Sequence, residues 1–293
     1  MKSKRQLLPL LSLTLSMVIF GTVGVFRRYI PIGSATLAGV RGYIGVVFIL
    51  LVLLIGRKKP DFAAIKSRLP LLLLSGAFIG INWILLFEAY ERTTVAVATL
   101  CYYMAPVFAI LLARVLYKEK LTLKKGLCVL AAVIGMVGVS GVIGGGFTGN
   151  QISGVLYGLA AAVFYACVIV SNQKLREVPA FDKTAVQLFS AAVVVTPYAL
   201  LTETVDAASL STAAVLLILA VGVLHTGIAY TLYFGSMKYF GVTTVSLLGY
   251  IDPIVAVLLS VLFLREPIGI WESLGVVLIL GATILGELPE KKK

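Results

Sequence analysis

The chain has 293 residues, 60% of them hydrophobic and 13% charged, with a mean hydropathy of +1.03; soluble domains are roughly 45–50% apolar and about a quarter charged. Serial helices of about 20 apolar residues with no polar face must be buried all round, and a chain this size cannot bury that many, so a water-soluble core is excluded. The net charge of +12 is no nucleic-acid signal, because Lys and Arg flank apolar runs instead of gathering with aromatics into a patch.

A helix needs roughly 20 mostly apolar residues to cross a bilayer core. Ten such runs are predicted, over 7–27, 34–55, 70–90, 94–115, 123–143, 154–173, 184–202, 212–235, 243–263 and 271–287. The first follows Lys2, Lys4 and Arg5 in the manner of a signal peptide. It is too long for one, lacks an Ala-x-Ala site and has a counterpart later in the chain, so it reads as a span. Cys101, Cys128 and Cys167 each fall inside an apolar run, without metal-ligand spacing or a disulfide framework, and read as small packing residues.

The third to fifth runs recur as the eighth to tenth. Gly80-Ile-Asn-Trp-Ile-Leu-Leu-Phe leads to Tyr103-Met-Ala-Pro106 and Lys118-Glu119. Gly227-Ile-Ala-Tyr-Thr-Leu-Tyr-Phe leads to Tyr250-Ile-Asp-Pro253 and Arg265-Glu266. The offset is 147 throughout, with no gap over about 60 residues. A weaker match of Ile19–Val23 to Phe164–Val168 extends the repeat to the start of each half. The expected organisation is a first repeat over 1–146, a linker over 147–153 within the glycine-rich, uncharged stretch 144–153, and a second repeat over 154–293.

Short-loop Lys and Arg set orientation. With the N-terminus inside, nineteen of the 25 basic residues fall on the cytoplasmic side, and Arg27, Arg28, Arg92 and Arg265 fall opposite; Arg41 and Arg114 lie within spans, Arg114 close enough to an end to snorkel. Five spans per half is odd, so the second copy is expected upside down relative to the first. Loop charge agrees: Lys118-Glu119-Lys120 is basic, whereas its counterpart Arg265-Glu266-Pro267 is charge-balanced. The fold class expected is therefore all-α integral membrane, about ten helices in two inverted five-helix repeats with both termini cytoplasmic. Inverted halves give two conformations of similar energy, one open to each side, with a solute site at their interface near mid-membrane.

Five-helix repeats, each with an aromatic-rich third span, a proline in the fourth, a glutamate just after it (Glu119, Glu266) and a glycine-rich fifth, resemble the EamA type of the drug/metabolite transporter superfamily. The first span has Phe20-Gly21 where that family often has Trp-Gly. The resemblance implies a secondary carrier of the plasma membrane for amino acids, amines, their metabolites or other small solutes, with export the more frequent direction and import the alternative. It does not identify the cargo.

Asp252 precedes Pro253 near the middle of the ninth run, where a carboxylate is costly and a functional candidate. Its repeat partner is Ala105 before Pro106, so the proline is shared and the charge is not. His225, the sole histidine, and Glu88 are the other proton-coupling candidates. Arg41 has two readings, an ion pair with Glu88 or a seat for a substrate carboxylate; its approximate counterpart is Gln187. The mid-span aromatics Trp83, Phe87, Tyr102, Tyr103, Tyr165, Tyr230, Tyr233 and Tyr250 fit an interfacial belt poorly and read as cavity lining. The substrate-binding candidates are Asn82, Trp83, Phe87, Tyr102, Tyr103, Tyr165, Tyr230, Tyr250 and Arg41. Asn172 is a further polar group that could orient a ligand.

Gly76-xxx-Gly80 and Gly154-xxx-Gly158 read as helix-packing pairs, because neither follows a strand and neither carries the Lys-Ser/Thr of a nucleotide loop. No cofactor, metal or nucleotide is expected. The partners expected are a small-molecule substrate, the lipid bilayer and protons as a coupling ion. One histidine and scattered acids do not make a catalytic cluster, so no enzyme is expected.

Overall fold

The computed structural model describes residues 4–27, 29–93, 98, 101–118, 121–139, 152–205, 210–264 and 269–287. Glu119, Arg265, Glu266, the glycines 144–146 and the linker residues 147–151 lie outside them. Among the described residues all regular structure is helical. In chain order the helices are α1 (Lys4–Arg27), α2 (Ser34–Ile55), α3 (Phe62–Arg92), α4 (Ala105–Tyr117), α5 (Leu123–Val139) and α6 (Ile152–Gln173). They continue with α7 (Ala180–Thr202), α8 (Thr212–Met237), α9 (Val242–Gly249), α10 (Ile251–Leu264) and α11 (Ile270–Glu287). Six of them, α1 to α3 and α6 to α8, are long and apolar enough to cross a membrane, and shorter apolar helices cover Ala105–Tyr117 and Val242–Val255. Ile55 is 81% and Leu201 86% exposed, an apolar exterior that suits lipid and not water.

Three departures from the sequence expectation have physical causes. Helix α3 starts eight residues before the apolar run at 70, because the Asp61 carboxylate accepts from Ala64 N–H at 2.9 Å and caps it. The first two turns carry Lys66 and Arg68, so they fell outside the apolar window. The fourth and ninth runs are each interrupted. After Cys101 and Tyr102 the chain turns at Tyr103-Met104 before α4, and Met104 N–H reaches only three residues back to the Cys101 carbonyl, at 3.2 Å. Tyr250, between α9 and α10, donates likewise to the Leu247 carbonyl at 3.2 Å. Pro106 and Pro253 supply the cause: each lacks the N–H that the carbonyl four residues earlier would accept, and each ring crowds that carbonyl. Within α8, Val221–Ile228 is π-helical, and Thr226 Oγ1 donates five residues back to the Val221 carbonyl at 3.1 Å.

Small residues let the long helices touch. A Cβ on Gly76 would lie 2.4 Å from the Gln187 carbonyl, and one on Gly80 2.8 Å from the Ala191 carbonyl, so α3 and α7 meet backbone to backbone. Gly154 and Gly158 bring α6 equally close to Thr93 and Cys101. The packing has an exchange pattern. α3 packs on α6 and α7, while α8 packs on α1 and α2; α4 packs on α6, while α10 packs on α1. Helices α2 and α7 pair with each other, as do α5 and α11, and α4 and α9. The 147 offset exchanges the α3–α6 contact with α8–α1, α3–α7 with α8–α2, and α4–α6 with α10–α1, and it returns the α2–α7 and α5–α11 pairs to themselves.

Polar contacts tie the helix ends. Both Glu203 carboxylate oxygens accept from the α2 N-terminus, from Ala35 N–H at 2.9 Å and Thr36 N–H at 2.8 Å. At the other end of that pair, Asp182 accepts from Asp61 N–H at 2.9 Å. Arg68 pairs with Glu177 at 3.7 Å, and Tyr117 OH donates to the Val170 carbonyl at 2.9 Å.

Candidate functional site

The two interrupted helices deliver their broken ends to one cavity. Tyr102, Tyr103, Ala105 and Pro106 come from the first break, and Ser246, Gly249 and Asp252 from the second. Met17 of α1, Tyr165 and Ile169 of α6, Tyr233 of α8 and Val245 of α9 close the walls. The free space is about 20 Å³, room for one water and too little for an organic solute. Asp252 occupies the first turn of α10, where the helix N-terminus favours a negative charge. Gly21 makes that placement possible: a Cβ there would lie 2.6 Å from the Asp252 carbonyl and 2.7 Å from Val255 Cβ.

Four phenols surround the cavity. Tyr102 stacks on Tyr165 with centroids 5.6 Å apart and an interplanar angle of 22°, and tilts against Tyr103 at 5.6 Å. Tyr165 OH donates to Tyr233 OH at 3.1 Å. The Ser246 hydroxyl, in a residue 1% exposed, is buried without a hydrogen-bond partner. Tyrosine, serine and aspartate here give a polar lining in an otherwise apolar interior, able to donate to and accept from a small solute.

A second aromatic cluster adjoins the first. Phe20 makes edge contacts with Tyr230 at 4.9 Å and with Tyr233 at 5.9 Å. Trp83 is edge-on to Tyr230 at 6.3 Å, and the Arg41 guanidinium lies 4.3 Å from the Trp83 ring centroid. Phe87 packs against the same core. Arg41 and Glu88 do not pair. Glu88 binds Arg92, one turn on along α3, and accepts a hydrogen bond from Tyr198 of α7. Glu88 and Arg92 are four residues apart on one helix face, which makes that pair the local one. Arg92 also lies 4.6 Å from the Tyr157 ring centroid on α6.

The remaining candidates take other places. Asn82 donates to the Ala161 carbonyl at 2.7 Å and joins α3 to α6. Asn172 donates to the Val168 carbonyl of its own helix at 3.0 Å. Gln187 donates to Ser75 Oγ at 2.7 Å between α7 and α3. Tyr250 is fully buried against Cys128, Leu247 and Ile279, and its hydroxyl has no partner. His225 sits in the π-helical segment with Nε2 2.7 Å from Thr22 Oγ1 and its ring edge-on to Phe26 at 4.7 Å. It faces α1 and does not line the cavity that holds Asp252.

Phe20 and Ser246 were absent from the candidates, while Tyr233 was named among the mid-span aromatics but not among the substrate-binding residues. Phe20 stands where the resembled family often has Trp, which was a signal for the first span. Ser246 has no sequence signal, because only the break at Tyr250 turns it inward.

The EamA-like transporter family model matches residues 7–141 and 152–286, nearly the whole chain, and the chain belongs to that family. It is a multi-pass membrane transporter. It is 27% identical over 97% of its length to "Uncharacterized transporter YxxF" of Bacillus subtilis (strain 168), covering 90% of that protein. It is 28% identical over 80% of its length to "Protein PecM" of Dickeya dadantii (strain 3937), covering 78% of it. A solved crystal structure with 20% identity superposes with a TM-score of 0.81, covering 94% of this chain and 95% of the other, a likeness of fold alone.

Proposed function

We propose that the chain is a secondary carrier that moves a small organic metabolite (an amino acid, amine or related solute) across the plasma membrane by alternating access. Ten spans form two inverted repeats, 1–146 and 154–293, joined by the linker 147–153, with both termini in the cytoplasm. The observation that carries this reading is the cavity itself. It lies where two proline-broken helices meet, one from each repeat, and the helix contacts exchange under the repeat offset. The end contacts support the topology. Glu203 with Ala35, and Arg92 with Tyr157, join segments expected outside. Asp182 with Asp61, Arg68 with Glu177, and Tyr117 with Val170 join segments expected inside.

Export is the favoured direction, with import of a nutrient-like solute as the alternative for the same geometry. Asp252 is the first proton-coupling candidate, because it alone of the three faces the cavity; His225 and Glu88 have partners elsewhere. Vesicles containing the purified protein and loaded with unlabelled solute should accumulate labelled solute by saturable counterflow. A linear, unsaturable influx would overturn the carrier reading. Asp252→Asn preserves the shape of the site and removes the titratable group. Counterflow should persist in that variant while uptake driven by a pH gradient falls at least tenfold; unchanged gradient-driven uptake would remove Asp252 from the coupling role.

A further inference from the structure

We propose that the solute carries a carboxylate and that Arg41 receives it. This rests on the carrier reading above and narrows the class of cargo.

Arg41 lies seven residues into α2, about 10 Å from the helix start at 1.5 Å per residue. A guanidinium there stays charged and presents five N–H donors in a plane. Trp83 covers one face of it at 4.3 Å. An aromatic face attracts the charge but does not accept those in-plane donors. The Arg41 Nε is buried with no hydrogen-bond partner, and among the described residues Arg41 makes no ion pair. A cation left so in a membrane interior is costly unless a ligand completes it.

Among the described residues, the carboxylates Glu88, Glu203 and Asp252 are engaged or elsewhere. Glu88 holds Arg92 and Tyr198, Glu203 caps α2, and Asp252 lines the tyrosine cavity. The ring contacts that lead from Arg41 are those of Trp83 and, beyond it, Tyr230, neither of them a carboxylate. Tyr233, Phe20, Tyr230 and Trp83 form an unbroken row of ring contacts that links the cavity wall to the guanidinium. A carboxylate matches the guanidinium plane with two parallel hydrogen bonds. A plain amine would meet a like charge there and be rejected. A carboxylate can belong to a simple organic acid or to a zwitterionic amino acid, and the two are separable by experiment.

The test uses three sets of matched compounds: phenylalanine, 3-phenylpropionate and phenethylamine; leucine, 4-methylpentanoate and isopentylamine; tryptophan, 3-indolepropionate and tryptamine. Each is measured by the thermal shift of the purified protein and by competition in vesicle counterflow. The carboxylate-bearing members of at least one set should raise the unfolding temperature by mass action, and its amine should not. Arg41→Gln should weaken the acid at least tenfold, about 1.4 kcal/mol, and Arg41→Lys less, since the charge remains and the fork is lost. An amino acid that outcompetes its deaminated acid identifies the zwitterion as cargo; the reverse identifies the simple acid.

The proposal is overturned if an amine binds as well as its acid, if either folded variant binds the acid like the parent, or if none of the nine compounds binds. The wild-type comparison stands even if the variants do not fold. Saturable counterflow of amines alone would leave the carrier reading intact and remove the role of Arg41. Binding of the acids without exchange would do the opposite.

Discussion

Asn82 donates to the Ala161 carbonyl and is 2% exposed, so its amide is committed to holding α3 against α6. Beside it in sequence, Trp83 turns to Arg41 and Tyr230. Neighbours on a helix point about 100° apart, and here that separates a packing residue from a site residue. Asn82→Ala is therefore expected to lower stability by about 1 kcal/mol through the lost hydrogen bond while leaving solute affinity unchanged. Thermal unfolding and a binding titration on one preparation check it; a large loss of affinity at unchanged stability would place Asn82 in the site after all. Sequence alone could not divide the two roles, because a polar group inside an apolar run satisfies itself on a backbone carbonyl or on a ligand equally well. Asp252 was easier to single out: proline after it marked the break, and its repeat partner is Ala105.

Among the helices, the broken pair and the glycine contacts carry the consequences. On α3, a Cβ at Gly76 would meet the Gln187 carbonyl at 2.4 Å and Ser190 Cβ at 2.5 Å, whereas one at Gly126 on α5 would meet nothing within 4 Å. Gly76→Ala must push α3 away from α7 and is expected to destabilise by roughly 1–3 kcal/mol. Gly126→Ala gains up to about 1 kcal/mol of helix propensity. Melting temperatures of the two variants should move in opposite directions. The long apolar runs and their approximate ends were legible, because length and hydropathy are local properties; the prolines at 106 and 253 were visible as a shared feature, but not that each run divides there. The π-helical Val221–Ile228 was not. Nothing in Val-Gly-Val-Leu-His-Thr-Gly-Ile departs from an ordinary apolar helix. The widened turn lies where Gly222 and Gly227 fit against Ile44 and Phe48 of α2, contacts that no local pattern reports.

At the scale of the molecule, α7 is tied at both ends, by Glu203 to the α2 N-terminus and by Asp182 to the N-cap of α3. The inverted topology proposed above puts Lys58 inside and Ser211 outside. Of single cysteines at these positions, in a background without Cys101, Cys128 and Cys167, Ser211→Cys should react with an impermeant thiol reagent in intact cells and Lys58→Cys only after the membrane is permeabilised. Labelling of both in intact cells, or of neither until permeabilisation, would overturn the inversion.

The exchange of contacts under the 147 offset also bears on inheritance of function after mutation. If each half adopts its sibling's shape when the carrier turns over, a substitution that favours one state has its antagonist at the equivalent position. Trp83 and Tyr230 are such a couple. Trimming Trp83 should tilt the balance toward one membrane face, trimming Tyr230 toward the other, and the double variant should sit near the parent in side-specific labelling. On that reading the chain would carry its own second-site suppressors, written 147 residues away along the stretch where the two copies align.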